Sequence, residues 1–111
     1  METFDLLPIS AIVNGQYLCM HGGISEALSS LEAINNIDRK MEPPDKDCLL
    51  SDLLWADPAS NKSTDLDYVF NEKRSVSVIF GKRPVNKLLK KEGLKAIIRG
   101  HECKQRGYKF H

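Results

Sequence analysis

The 111 residues contain no CxxC pair; Cys19, Cys48 and Cys103 are odd in number and far apart. That argues against a thiolate zinc site and against a disulfide framework. It leaves reduced, partly buried thiols in a cytoplasmic or nuclear protein as the expectation. No apolar run approaches the roughly 20 residues a bilayer requires. The opening residues also lack a basic-then-apolar leader pattern, so no membrane is expected among the partners. Repeats and low-complexity tracts are absent. Aromatic residues are only 7% of the chain. What is present is ordinary for one small globular domain: 41% hydrophobic and 28% charged residues. The net charge of +1 hides an asymmetry, with 6 basic and 13 acidic side chains over residues 1–81 against 10 basic and 2 acidic over 82–111. A basic tail can serve nucleic acid. Here its only aromatics are Tyr108 and Phe110, too few for a base-stacking platform, so a solvated face is expected and no nucleic acid.

Hydrophobic patterning predicts a succession of short elements. Residues 1–7 read as the tail of a helix and 8–13 as a strand. Asn14-Gly15 signals a two-residue hairpin turn, because both positions tolerate positive φ. Residues 16–20 return as a strand that ends at His21. Ser29 and Glu32 have capping-box spacing, with Leu31, Ile34 and Ile37 forming an apolar stripe behind them. Pro43-Pro44 marks a loop. Residues 48–55 have the i, i+3, i+4 apolar spacing of a short buried helix, stopped by Asp57-Pro58. Residues 59–73 are polar and loop-like, and 75–80 alternate like a strand closed by Gly81. Pro84 suits a first helical turn, Lys90 and Lys91 the last, and Gly93 the C-cap. Residues 94–98 form an apolar strand, Arg99-Gly100-His101 follows, and 108–111 resemble the start of another strand. Both ends look like cuts through a larger domain.

Two places stand out for chemistry. His21, in the stretch CMHGGIS, and His101, in RGHE, each end an apolar strand and each has glycine beside it. Neutral imidazole is a good ligand for zinc-, iron- and manganese-type ions. Glycine beside a ligand lets bulky groups approach, so Gly22 and Gly23 are expected to make room for a metal and an anionic guest. Two histidines so far apart form no local metal motif, and by themselves they supply half a site at most. Arg74 stands at a loop-to-strand boundary, and its guanidinium fork suits phosphate oxygens. From spacing alone, each of the three is as consistent with a structural or surface role.

Several blocks occur in order: FDLLP (4–8), CMHGGIS (19–25), I-D-R with E-P-P (37–44), SDLLWADP (51–58), RSVSVIFG (74–81) and IRGHE (98–102). Together they resemble the C-terminal half of the catalytic domain of metal-dependent serine/threonine phosphoprotein phosphatases, the family of protein phosphatases 1, 2A and calcineurin. The resemblance covers residues 1–111. It implies an α/β (α+β) fold, part of a four-layer metallophosphoesterase β-sandwich flanked by helices and truncated at both ends. It implies hydrolysis of phosphoserine and phosphothreonine proteins by a water activated between two divalent ions of the manganese, iron or zinc type. His21 and His101 then match ligands of the second metal, and Arg74 matches the arginine that holds the substrate phosphate. The WADP block matches a segment near the site that supports it by packing. A regulatory subunit is a further expected partner.

The family's G-D-x-H-G, G-D-x-x-D-R-G and G-N-H-E blocks, which would carry the first metal and the general acid, do not occur in this sequence. The downstream strands with their tyrosine-bearing loop are also missing. Ala56 stands for a usual serine, Ser51 for a usual cysteine, and Ser75 for the glycine that commonly follows the phosphate arginine. The run HECK with Gly107-Tyr108 is similar to the phosphatase 5 and EF-hand branches, whereas Asp38-Arg39 with Glu42-Pro43-Pro44 is similar to calcineurin. Two expectations follow: residues 1–111 alone do not turn over phosphopeptide, and alone they fold poorly or self-associate. The alternative function is a non-catalytic remnant or interaction module.

Overall fold

In a computed structural model of the chain, residues 2–39, 48–60 and 66–111 are described. The elements in chain order are α1 (Glu2–Asp5), β1 (Ser10–Val13), β2 (Tyr17–Met20), α2 (Leu31–Asn35), α3 (Leu49–Trp55), β3 (Asp57–Pro58), β4 (Tyr68–Phe70), β5 (Val78–Phe80), α4 (Lys82–Glu92) and β6 (Ala96–Arg99). The class is the expected mixed α/β. The Pro43-Pro44 loop and the middle of the 59–73 loop lie outside the described residues.

Asn14 and Gly15 both take positive φ, 53° and 62°, and fold β1 back on β2. The register is antiparallel, pairing Val13 with Tyr17 and Ser10 with Met20. β2 begins one residue later than expected: Val13 pairs with Tyr17, so the connection is the three residues 14–16 rather than two, with Gln16 N donating to Val13 O at 3.0 Å, while the Gln16 carbonyl accepts from Lys95 N at 2.8 Å. That bond leads β6 in parallel alongside β2, with Met20 opposite Arg99. The sheet order is β1-β2-β6; a second sheet has order β3-β5-β4. His21 and Gly100-His101 therefore leave the same end of two neighbouring parallel strands.

One face of the first sheet carries Leu18 and Met20 into the core, where Ile24, Leu28, Leu53, Ala56, Phe80 and Leu88 meet them. Leu18, Ile24 and Leu53 are all but fully enclosed. Each such side chain contributes about 1.5–3 kcal/mol of burial. α3 is started by Cys48, whose Sγ accepts from Ser51 N. α4 begins at Gly81 and ends at Gly93, whose φ of 67° makes it the left-handed C-cap expected.

Four expectations are corrected. The cap of α2 is Ser30, which accepts from Ala33 N; Ser29 instead gives its carbonyl to Lys91. The strand expected over 75–80 is only Val78–Phe80, because Ser75 and Ser77 take φ of 56° and 63° and break the extended run. The stretch expected as loop contains β4, recruited by antiparallel pairing with β5. Residues 108–111 form no strand; Tyr108 and Phe110 pack edge to face on each other and remain exposed.

Candidate metal and phosphate site

The parallel pairing of β2 with β6 brings together two histidines separated by 80 positions. His101 Nδ1 lies 3.0 Å from His21 Nε2, and the rings meet edge to face with centroids 4.8 Å apart. One of the facing nitrogens carries a hydrogen and the other a lone pair, an arrangement the tautomers decide. His101 has φ of 63°. Left-handed backbone at a histidine is uncommon, and here it turns the chain so that the His101 carbonyl faces Arg74 Nη2 at 3.4 Å. Trp55 stands edge-on to the His101 ring, centroids 5.6 Å apart.

Arg74 is thus brought to the same place, and Asp57 is what holds it there. Arg74 Nε donates to Asp57 Oδ2 at 3.0 Å. Asn71 Nδ2 donates to the same oxygen at 3.0 Å, and Arg99 Nη2 donates to Oδ1 at 2.9 Å. Arg99 also donates to the carbonyls of Gly22 and Ala56 and, through Nη1, to Glu102 at 2.6 Å. One half-buried guanidinium therefore ties the HGG turn, the WADP turn and the RGHE turn together. Such charged hydrogen bonds are roughly twice as strong as neutral ones.

Burial by itself would raise the Asp57 carboxyl, but the hydrogen bonds from Arg74, Asn71 and Arg99 and the Arg74 charge together hold it below its ordinary range. His101 is pushed down, first by burial and then by the Arg74 charge, with Asp57 opposing. The neutral imidazole that a metal needs is the form so favoured.

The glycines of the HGG turn do not have the expected role. A Cβ on Gly22 would lie 2.6 Å from Leu54 O and 2.7 Å from Trp55 N. A Cβ on Gly23 would enter the Phe80 ring. The room they make is filled by the protein itself: Gly22 N donates to Leu53 O at 2.8 Å, docking the turn on the C-terminus of α3. Gly100 is different, since a Cβ there would make ordinary contact, 3.6 Å, with His21 Nδ1.

The three residues singled out from sequence therefore converge. Two others were not assigned a part there: Arg99, although it sits in the RGHE block, and Asn71, in the stretch read as loop. No spacing rule marks either, because their partners come from other segments. The donor set fits a metal in part. Two nitrogens 3.0 Å apart that both bound one metal at about 2.1 Å would subtend about 90° at it, tighter than the tetrahedral angle of zinc sites. His101 Nε2 is buried without a hydrogen bond, and Asp57 Oδ1 at 3.8 Å is too far to accept one. Among the described residues, no group of three or more His, Cys, Asp or Glu could hold an ion. Among the described residues, the site thus brings together two imidazoles without a third such group.

The calcineurin-like phosphoesterase family model matches residues 1–105. The chain belongs to this family. Over 99% of its length it is 40% identical to the serine/threonine-protein phosphatase 2B catalytic subunit A1 of Saccharomyces cerevisiae, covering 22% of that protein. Over 97% it is 38% identical to the serine/threonine-protein phosphatase 4 catalytic subunit of the same yeast, covering 33% of it. A solved S. cerevisiae protein serine/threonine phosphatase, described as similar to human phosphatase PP5, superposes with a TM-score of 0.78 at 32% identity, covering 93% of this chain and 30% of that one. The chain thus spans a third or less of the length of these relatives. Its family consists of phosphate-ester hydrolases and implies divalent metal cofactors.

Proposed function

We propose that residues 1–111 are the C-terminal part of a serine/threonine protein phosphatase catalytic domain, acting on phosphoserine and phosphothreonine proteins. The observation that carries this reading is the convergence of His21, His101 and Arg74 at one end of β2 and β6. His21 through Nε2 and His101 through Nδ1 would hold one of two divalent ions of the manganese, iron or zinc type. When bound, the ions supply Lewis-acid polarisation of the phosphoryl group and an activated water.

The chain's own residues do the rest of what this part of a site can do. The Arg74 guanidinium neutralises phosphate charge and orients the group. The low basicity of His101 keeps its ring neutral and available as a ligand. The first metal, the bridging aspartate and the general acid are expected from the G-D-x-H-G, G-D-x-x-D-R-G and G-N-H-E blocks elsewhere in a complete domain. A regulatory subunit and a cytoplasmic or nuclear location remain part of the proposal. The described residues contain no helix long and apolar enough to cross a membrane. A second reading, a non-catalytic remnant or interaction module, draws on the two-ligand donor set.

The experiment compares manganese-dependent hydrolysis of a phosphoserine peptide by residues 1–111 alone and by the same residues joined to a relative's segment bearing the three blocks. Turnover by the joined form only, lost in His21→Ala and His101→Ala along with bound metal, is the expected result. Turnover by residues 1–111 alone, abolished by His21→Ala, would overturn the division of labour. A folded, metal-loaded joined form without turnover would leave the remnant reading standing.

A further inference from the structure

We infer that Asp57 is a positioning residue for phosphate recognition: its carboxylate holds Arg74 by Nε, so that the guanidinium meets phosphate with its Nη edge. The inference rests on the phosphate-binding reading of Arg74 just given. A guanidinium presents five N–H donors in a rigid fork, and which of them reach a ligand depends on which are already spent. In Arg74, Nε is spent on Asp57 at 3.0 Å. Nη2 reaches the His101 carbonyl at a long 3.4 Å, and Nη1 makes no hydrogen bond among the described residues. With Nε spent on Asp57, the Nη end of the fork is the free end, and it lies beside the His101 backbone carbonyl.

The anchor itself cannot turn. Asp57 Oδ2 also accepts from Asn71, which is 1% exposed, and Oδ1 accepts from Arg99. Asn71 in addition accepts from the Arg74 backbone N–H, through its carbonyl at 3.1 Å and its Oδ1 at 3.3 Å. Arg74 is therefore held at both ends, by its backbone and by its Nε, from the same two neighbours. Both oxygens of the carboxylate are occupied, so an arginine freed from Nε has no second place to dock there.

Charge and direction make opposite demands. A carboxylate beside a phosphate-facing cation cancels part of its attraction for an anion. If Arg74 acted as a point charge, removing Asp57 would tighten phosphate binding. If it acts as an oriented fork, removing Asp57 weakens binding although the site becomes more positive. The built anchor, with every donor matched, points to the second.

The test measures binding of inorganic phosphate by calorimetry to the full-length, metal-loaded protein, with metal content determined for each variant. Asp57→Asn is expected to weaken phosphate binding about tenfold, the scale of one charged hydrogen bond. Asp57→Glu keeps the charge but moves the carboxylate, and is expected to weaken binding as well; it also serves if Asp57→Asn does not fold. In an Arg74→Ala background, neither change at Asp57 has a further effect. Tighter or unchanged binding in both Asp57 variants would overturn the inference, as would an equal loss in the Arg74→Ala background. Unchanged binding in Arg74→Ala alone would instead sink the reading of Arg74 on which it rests.

Discussion

Ser75 follows Arg74 and occupies the left-handed region with φ of 56°. A side chain there crowds the backbone by roughly 1–2 kcal/mol, whereas glycine takes the conformation freely but loses more entropy on folding. The backbone thus makes a glycine-like turn at a serine. Ser75→Gly is therefore expected to stabilise the protein by about 1 kcal/mol, read as a higher denaturant midpoint with an unchanged slope. A lower midpoint would mean that the serine is not strained. At this scale His21, Arg74 and His101, singled out from sequence by residue type and neighbouring motif, are brought together by the fold. Asp57 could be placed near the site but not given its part. An aspartate's role is set by which cations reach it, and here they come from positions 74 and 99.

The HGG turn shows how elements constrain residues. Gly22 is enclosed by the backbone at the end of α3, which cannot give way as a side chain could. Overpacking of this kind costs typically 1–3 kcal/mol, and Gly22→Ala should fall near about 3 kcal/mol. Gly15→Ala is the control: its φ is 62°, with nothing within 4 Å of an added Cβ, so only backbone strain of about 1 kcal/mol applies. Thermal unfolding of the two variants checks the order; an equal or smaller loss for Gly22→Ala would refute the close-packing account. Elements with a local signature were readable: the Asn14-Gly15 hairpin, the α3 stripe, the Gly93 cap. Those made by partners were not. β4 exists because β5 pairs with it, and the run from 75 to 80 is interrupted at Ser77, whose hydroxyl donates to buried Asp52 at 2.6 Å. Alternation in sequence does not reveal such a bond.

For the molecule as a whole, the surplus of basic residues after position 81 is partly answered within the fold. Arg83 pairs with Asp67, Arg99 with Asp57 and Glu102, and Lys104 with Glu102. The apolar surface is less well answered. Leu18 and Met20 bury one face of the first sheet, while Val13 and Ile98, on the other face, stay 50% and 54% exposed. Residues 1–111 in isolation should consequently self-associate, eluting above monomer mass in size-exclusion chromatography. Val13→Lys combined with Ile98→Lys should restore the monomer. A monomer with a sharp two-state melt in the unaltered chain would contradict this. The sequence by itself determined the family, the mixed class and the residue types suited to metal and phosphate, since these depend on side-chain chemistry and local pattern. Only the tertiary structure decided that two histidines face each other, that Asp57 joins two arginines, and that the glycines serve packing. Those facts depend on distances between segments far apart along the chain, set by the register of β6 beside β2 for the histidines and Arg99 and by the packing of α3 and Phe80 against the HGG turn for the glycines.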